Sequence, residues 1–342
     1  MIRFVLATLL IATPALAQHQ HHVPPRTSSP TAPASNPHAQ HGTPAKNDAP
    51  MAAPETRGAQ PLVSKAVDGV REFELVTGTV RWHILPTVMV DALAYNGQVP
   101  GPTIRTKPGE KVRIKVTNKL AEPTSVHWHG IDVPFDQDGV AGLSQAPIAP
   151  GATHTYAFTI PNTPGTFMYH THVHADRQQA LGLYGAFIIE DPKAPAYAGE
   201  YLIQMGEWRV EPDGTTQPAM QMDGMLPTHF TFNGKAFPSV ETIKAKVGDR
   251  LLFRLLGTGQ FIHPVHFHGA PFTIAGTDGY PVPEPARLTK DTVLIGPGER
   301  YDVEWTPTRP GKWMVHCHIN HHATNHDGSD HGGMMMIIDV AA

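Results

Sequence analysis

Cysteine is nearly absent from this chain: Cys317 is the only one in 342 residues. A lone thiol cannot pair within its own chain, so no disulfide framework holds the fold together. Net charge is also small, formally −4 at neutral pH, which excludes a strongly basic surface and argues against a nucleic-acid or other polyanionic partner. Long apolar runs are missing. The stretch from Phe4 to Ala12 is too short to span a bilayer, and no later segment reaches the length a membrane helix needs. Sustained helical periodicity is missing too, which leaves out helical bundles.

The N-terminus does carry a pattern. Met1-Ile2-Arg3, the apolar stretch and then Ala15-Leu16-Ala17 read as a secretory signal peptide over residues 1–17, cut before Gln18. The single arginine favours the general secretory route. The expected location is therefore periplasmic or secreted. There an exposed thiol is a liability, and burial beneath a metal is the economical account of Cys317. Residues 18–64 are rich in proline, alanine, serine and threonine with almost no large apolar side chains, and they read as a disordered leader. His19, His21, His22, His38 and His41 in this leader are either incidental or a loose copper-capturing arm.

The remainder consists of short alternating apolar runs broken by Gly, Pro, Asn and Asp, such as Val112 to Val116 and Leu251 to Leu256, and predicts an all-β protein of sandwich type. It also contains an internal repeat. Tyr95-Asn96-Gly97, Lys107 to Lys111 and His127-Trp128-His129-Gly130 match Phe232-Asn233-Gly234, Lys246 to Arg250 and His266-Phe267-His268-Gly269. Tyr169-His170-Thr171-His172 likewise matches Val315-His316-Cys317-His318. Two related domains are expected over 65–193 and 227–342, joined by a linker over 194–226 that holds Met220, Met222 and Met225.

Four His-x-His pairs occupy equivalent places in the two repeats: His127/His129, His170/His172, His266/His268 and His316/His318. Chance gives about one or two such pairs at this histidine frequency. On a strand, both rings of each pair face one side, as a shared metal site requires. Cys317 sits between two of these histidines and so points the opposite way, with His322 five residues on and Met334 to Met336 beyond. Thiolate, imidazoles and thioether are the ligand set of an electron-transfer copper site. The run His170 to Asp176 superficially resembles a catalytic zinc motif, but eight imidazoles are too many for such a centre, and zinc leaves Cys317 unexplained.

The motifs His127-Trp128-His129-Gly130, Tyr169-His170-Thr171-His172 with Gly182 to Gly185, His263-Pro264-Val265-His266-Phe267-His268-Gly269 and His316-Cys317-His318-Ile319 with His322 resemble the four copper motifs of multicopper oxidases, over about residues 90 to 340. With two domains, the chain is similar to the small-laccase branch. The resemblance implies two cupredoxin-like Greek-key β-sandwiches and copper as cofactor, one mononuclear blue copper and one trinuclear cluster per chain equivalent. It implies a blue site of His263, Cys317 and His322 with Met334 as weak axial ligand, Met336 remaining open as the alternative. His127 and His266 would hold a lone copper, and His129, His170, His172, His268, His316 and His318 a copper pair. Electrons from a small-molecule or metal-ion donor would pass through Cys317 to the cluster, which reduces dioxygen to water. Asp138 resembles the family's proton-supplying acid.

In the repeat, Thr124, Thr171 and Asp176 stand where the second domain has His263, Cys317 and His322, so only the second domain is expected to hold blue copper. An insertion from Ala323 to Gly333 separates His322 from Met334. Because each domain supplies four of the eight cluster histidines, the family precedent is a homotrimer with clusters between subunits. Cu(I), and also phenols, are the expected reducing substrates. Copper nitrite reductase and a copper store are the rival readings.

Overall fold

The computed structural model describes residues 49–211, 216–217 and 227–342. The expected signal peptide, the leader histidines, Met220, Met222 and Met225 lie outside the described residues. Among those described, no helix is long and apolar enough to cross a membrane.

The all-β expectation holds, and the internal repeat reappears as repeated strand order. In the first half, Val70–Leu85 runs parallel to Lys111–Asn118, which pairs antiparallel with Thr153–Thr159. A facing sheet joins Gly101–Thr106, Tyr184–Ile189, Gly165–His170 and His127–His129 in that order. The second half repeats both patterns. Gly199–Val210 runs parallel to Leu251–Leu256, which pairs with Arg300–Trp305. Ile243–Lys246, Met335–Ala341, Gly311–Cys317 and His263–Phe267 form the facing sheet, extended at its edge by Thr292–Ile295.

Period-two alternation explains why these segments are strands. Lys111–Asn118 buries Val112, Ile114 and Val116 and exposes Lys111, Arg113 and Lys115. The buried faces of the first pair of sheets meet around Trp128, Tyr156, Phe187 and Tyr169. Those of the second meet around Phe253, Phe267, Trp305 and Phe230, and Cys317 belongs to that second core.

Two stretches differ from the sequence reading. Residues 49–64, expected to be disordered leader, lie along the first sandwich: the Leu62 N–H donates to the Thr103 carbonyl and the Ala52 N–H to the Arg81 carbonyl. The stretch docks because its amides and carbonyls pair in both directions: the Arg81 and Thr103 N–H groups donate to the Pro50 and Gln60 carbonyls in return. The stretch 194–226, expected to be a linker, contains Gly199–Val210, a twelve-residue strand of the second sandwich. Its Ile203 and Met205 join the second core.

The two sandwiches are bound to each other by apolar and ionic contacts. Leu251–Leu256 is buried on both faces. Leu256 packs with Met168, Ala186 and Ile188 of the first half, while Arg254 bonds Thr166 Oγ1 at 2.7 Å and Asp302 Oδ2 at 3.0 Å. Thr166 in turn donates to Asp302 Oδ1 at 2.5 Å. Glu200 bridges Arg254 and Arg105. A second clamp lies along the strand Val70–Leu85. The Trp82 indole donates to the Gly234 carbonyl at 2.7 Å. Lys235 stacks on the same ring at 4.4 Å and donates to the His83 and Pro54 carbonyls. Burial lowers the Lys235 pKa to about 8.

Removing one partner of a buried ion pair strands the other. Asp302→Leu should therefore lower the thermal unfolding midpoint by an amount equivalent to about 3 kcal/mol. Adding Arg254→Met should recover much of that loss, and the double-mutant cycle read by calorimetry checks it.

Candidate metal centres

The strand Gly311–Cys317 carries the site because of its alternation. It pairs with His263–Phe267 so that Val265 faces Cys317 and His266 faces His316. Cys317 points into the core and is fully buried, while His316, one residue earlier, lies on the outer face. His322 follows in a single 3-10 turn, Asn320–Ala323. His263, Cys317 and His322 thereby meet: Sγ lies 3.7 Å from His263 Nδ1 and 3.5 Å from His322 Nδ1, and the two nitrogens are 3.2 Å apart. The point equidistant from the three atoms is about 2 Å from each, the length of a bond from imidazole to a first-row metal ion. The donor set fits copper.

Burial also removes competing charge. It pushes the Cys317 thiol up to about 11, with Glu207 adding to the effect. The His322 imidazole is held down at about 3 by burial, then by His263 and His321. Phe230 stacks on the His322 ring at 3.8 Å.

Met334 lies across the backbone from this triangle. Its carbonyl accepts from the Cys317 N–H at 3.1 Å, and its own N–H donates to the His322 carbonyl at 2.8 Å. This approach needs Gly333, whose φ is +56° and where a Cβ would stand 2.1 Å from the His322 carbonyl oxygen. Met336 faces Val315 instead.

Glu207, which the sequence reading missed, supports the triangle from behind. Its Oε1 lies 2.5 Å from His263 Nε2, and both side chains are buried. Its other oxygen accepts from the Gln260 N–H at 3.0 Å. A carboxylate on Nε2 fixes the proton there and leaves Nδ1 as the lone-pair donor, as supporting carboxylates do in metal sites. Glu207 lies 56 residues before His263 on a strand that the sequence reading treated as linker, so no local motif signalled it.

Behind the triangle lies a histidine quartet, and the first half carries its counterpart. His266, His268, His316 and His318 have ring centroids 4.8 to 5.7 Å apart. His127 lies 5.3 to 5.9 Å from His129, His170 and His172. The repeat extends to hydrogen bonds. His170 Nδ1 and His316 Nδ1 each meet the carbonyl of the next residue, Thr171 and Cys317. His127 Nδ1 meets the Asp138 carbonyl at 2.8 Å, and His266 Nδ1 meets the Asp291 carbonyl at 2.9 Å. These carbonyls require a proton on Nδ1 and leave each Nε2 free to ligate. His170 Nε2 then faces His129 Nδ1 at 3.2 Å, and His316 Nε2 faces His268 Nε2 at 3.1 Å. Such nitrogens suit a shared cation.

Asp138 Oδ1 is 3.3 Å from His127 Nδ1, with the side chain one-third exposed. Asp291, its counterpart, escaped the sequence reading because it follows His266 by 25 residues, whereas Asp138 follows His127 by only 11.

The two quartets do not meet within the chain. Among the described residues, no histidine of one makes a ring contact or hydrogen bond with the other. His129 instead abuts Gly298 of the second half. Burial, then the Arg300 guanidinium and His127, lower its pKa to about 4.

The first half has no thiolate pocket, and its equivalent place is filled. Thr124 Oγ1 and Thr171 Oγ1 lie 3.2 Å apart, and each is 2.9 Å from Gln178 Oε1, with all three residues fully buried. This corrects the sequence alignment: Gln178, not the exposed Asp176, stands where the second half has His322. The short helix Ala175–Gln178 brings in a residue seven positions after Thr171, where the other half needs five.

Fold and donor set define a copper protein of the cupredoxin class. The chain matches two family models, each described as multicopper oxidase, over residues 77–194 and 209–339. The blue copper oxidase of Nitrosomonas europaea superposes with a TM-score of 0.73 at 36% identity, covering 79% of this chain and 86% of that one. Multicopper oxidase MmcO of Mycobacterium tuberculosis is 33% identical over 250 residues, 63% of this chain and 48% of that protein. Copper resistance protein A of Escherichia coli is 34% identical over 190 residues, 53% and 30% of the respective chains. The chain thus spans about half the length of the mycobacterial protein or less of such curated relatives. The chain belongs to the multicopper oxidase family. Copper is the family's cofactor, at a mononuclear and a trinuclear site, and the His/Cys groups described here are compatible with both.

Glu207→Gln should weaken copper at the mononuclear site by about 10- to 100-fold, read by chelator competition on the blue absorption. The metal-free protein should lose stability as pH falls. His129, His170 and His322 titrate near 4, 3 and 3 when folded, against an ordinary value of 6.5. Between 6.5 and about 4 the unfolded chain takes up protons that the folded chain refuses. Denaturant titrations across that window check the sign.

Proposed function

We propose that the protein is an exported oxidase that couples one-electron oxidation of a reducing substrate to the four-electron reduction of dioxygen to water. The observation that carries this reading is the two-sided segment at Cys317, with a buried His263–Cys317–His322 triangle on one side and four imidazoles on the other. In this reading His263, Cys317 and His322 would hold the blue copper, with Met334 as the further ligand, a role supported by its backbone bonds to both Cys317 and His322. His127 and His266 hold the lone copper of the cluster. His129, His170, His172, His268, His316 and His318 hold the pair. Bound copper supplies the one-electron chemistry at the first site and dioxygen reduction at the second.

The chain's own groups do the rest. Cys317 and its neighbours provide a covalent path between the sites, and the His316 Nδ1–H bond to the Cys317 carbonyl provides a shorter one. Asp138, partly exposed and beside His127, relays protons from solvent. The separation of the quartets supports a homotrimer in which the first half of one subunit meets the second half of another. Exposed Phe135 and Leu143 near Asp138, and exposed Ile262 and Leu294 beside the His263 strand, suit burial at that contact. Cu(I) is the favoured substrate, from the thioethers of Met220, Met222 and Met225 in the sequence. The N-terminal signal pattern supports export.

Oxygen uptake with a reducing dye tests the oxidase reading, and nitric oxide release from nitrite without oxygen uptake would replace it with a reductase. For the shared cluster, co-refolded His129→Ala and His268→Ala chains should regain about a quarter of the wild-type activity that each lacks alone, because one interface in each mixed trimer keeps all eight ligands. Clusters built within single chains give no recovery.

A further inference from the structure

His322 cannot receive a donor directly. Its residue is 2% exposed, Phe230 covers one face at 3.8 Å, and Phe261 stands edge-on at 6.3 Å. Its neighbour is placed differently. His321 is exposed, and its ring centroid is 4.4 Å from the His322 ring and 5.5 Å from Phe230. The 3-10 turn Asn320–Ala323 aims one imidazole inward and the next outward, so an exposed ring touches a buried one.

More imidazoles lie close by. His229 begins the strand His229–Phe232 and so flanks Phe230. Its Nδ1 is 2.9 Å from Thr228 Oγ1. Exposed His326 lies near enough to contribute, after burial, to lowering the His229 pKa. Asp327, the carboxylate next to His326, is engaged by the Ser329 hydroxyl and N–H. At the exposed ring that touches His322 the donor is therefore an imidazole nitrogen, which suits copper, rather than the hard oxygens that manganese prefers.

We propose that His321 is the residue through which electrons reach the mononuclear site, and that it does so by ligating a cuprous ion as substrate. This rests on the oxidase reading above and specifies its donor. The bound Cu(I) gives up one electron and leaves as Cu(II). The electron crosses the His321–His322 contact and is taken up at the mononuclear site. Four such events, with four protons, match one dioxygen reduced to two waters. His321 is a ligand for substrate, distinct from the resident metal's ligands.

The test is anaerobic stopped-flow bleaching of the blue absorption in holoprotein, driven either by a cuprous acetonitrile complex or by an organic reducing dye. His321→Phe keeps an aromatic ring against His322 but removes the ligand nitrogen. The ratio of the cuprous to the dye rate should fall several-fold or more in this variant. His321→Met, which restores a donor that binds Cu(I), should raise the ratio again. An unchanged ratio in both variants overturns the proposal, as does a wild-type blue band that the dye bleaches and Cu(I) does not. A wild-type protein with no blue band, or one that no donor bleaches, fails the oxidase reading itself. Should His321→Phe lose its blue band, His321→Leu, which also lacks a ligand nitrogen, takes its place: a cuprous-to-dye ratio equal to that of wild type sinks the idea.

Discussion

The alternation of side chains along one strand governs this molecule. In Gly311–Cys317, Cys317 and Val315 enter the core of a sandwich while His316 looks out. A dry mononuclear pocket and a solvent-facing set of imidazoles thus follow from the same backbone, one residue apart. The pocket needs no dedicated shell, because Phe230, Met334 and Met336 already belong to the core that excludes water. The outward histidines inherit the opposite condition. In the proposed reading each outer quartet is half of a cluster, and a second surface closes it.

The two halves solve one structural problem by different chemistry. Three segments must be joined beneath the sandwich rim: the approach to the first ligand strand, the end of the second, and the turn after it. In the second half their junction consists of two imidazoles and a thiol within 3.7 Å of one another. A metal held there would also add folding free energy, because the unfolded chain offers no such arrangement. In the first half Thr124, Thr171 and Gln178 make the junction with hydrogen bonds. Thr171 lies between His170 and His172, so this junction holds a half-cluster in place without any metal. A buried hydroxyl without a partner costs about 1–3 kcal/mol; Gln178 prevents that cost on Thr124, and Thr171 bonds to the Val173 backbone as well.

What was legible in the sequence was whatever repeats or spaces itself locally. The His-x-His pairs, the Cys317 context and the paired Asn-Gly and His-Gly turns revealed both sandwiches and eight imidazoles, because a spacing of two brings both rings of a pair together, within a strand at His127/His129 and just past a strand's end at His172, His268 and His318. Contacts between distant strands were not legible. Glu207 reaches His263 only through the pairing of Gly199–Val210 with His229–Phe232 and Leu251–Leu256, and a stretch flanked by polar residues and methionines reads as a connection. Gln178 was hidden by a change from a 3-10 turn in the second half to an α-helical turn in the first, which shifts the required offset by two residues. Asp291 was hidden because it lies 25 residues from His266, whereas Asp138 lies 11 from His127.

The contact between the sandwiches bears on how the quartets are completed. A hinge could in principle swing one quartet onto the other within a chain. Here it would have to part Met168, Ala186 and Ile188 from Leu256 and expose the Arg254–Asp302–Thr166–Glu200 network. It would also break the Trp82–Gly234 and Lys235–His83 bonds. Separating a buried charge from its partner alone costs several kcal/mol, and His129 is already packed against Gly298 and Arg300. A rigid chain with two outward half-sites can complete neither by bending. Closure by copies of itself needs only that the surface around one quartet fit the surface around the other, and head-to-tail contacts of that kind close into a ring when the rotation between subunits permits.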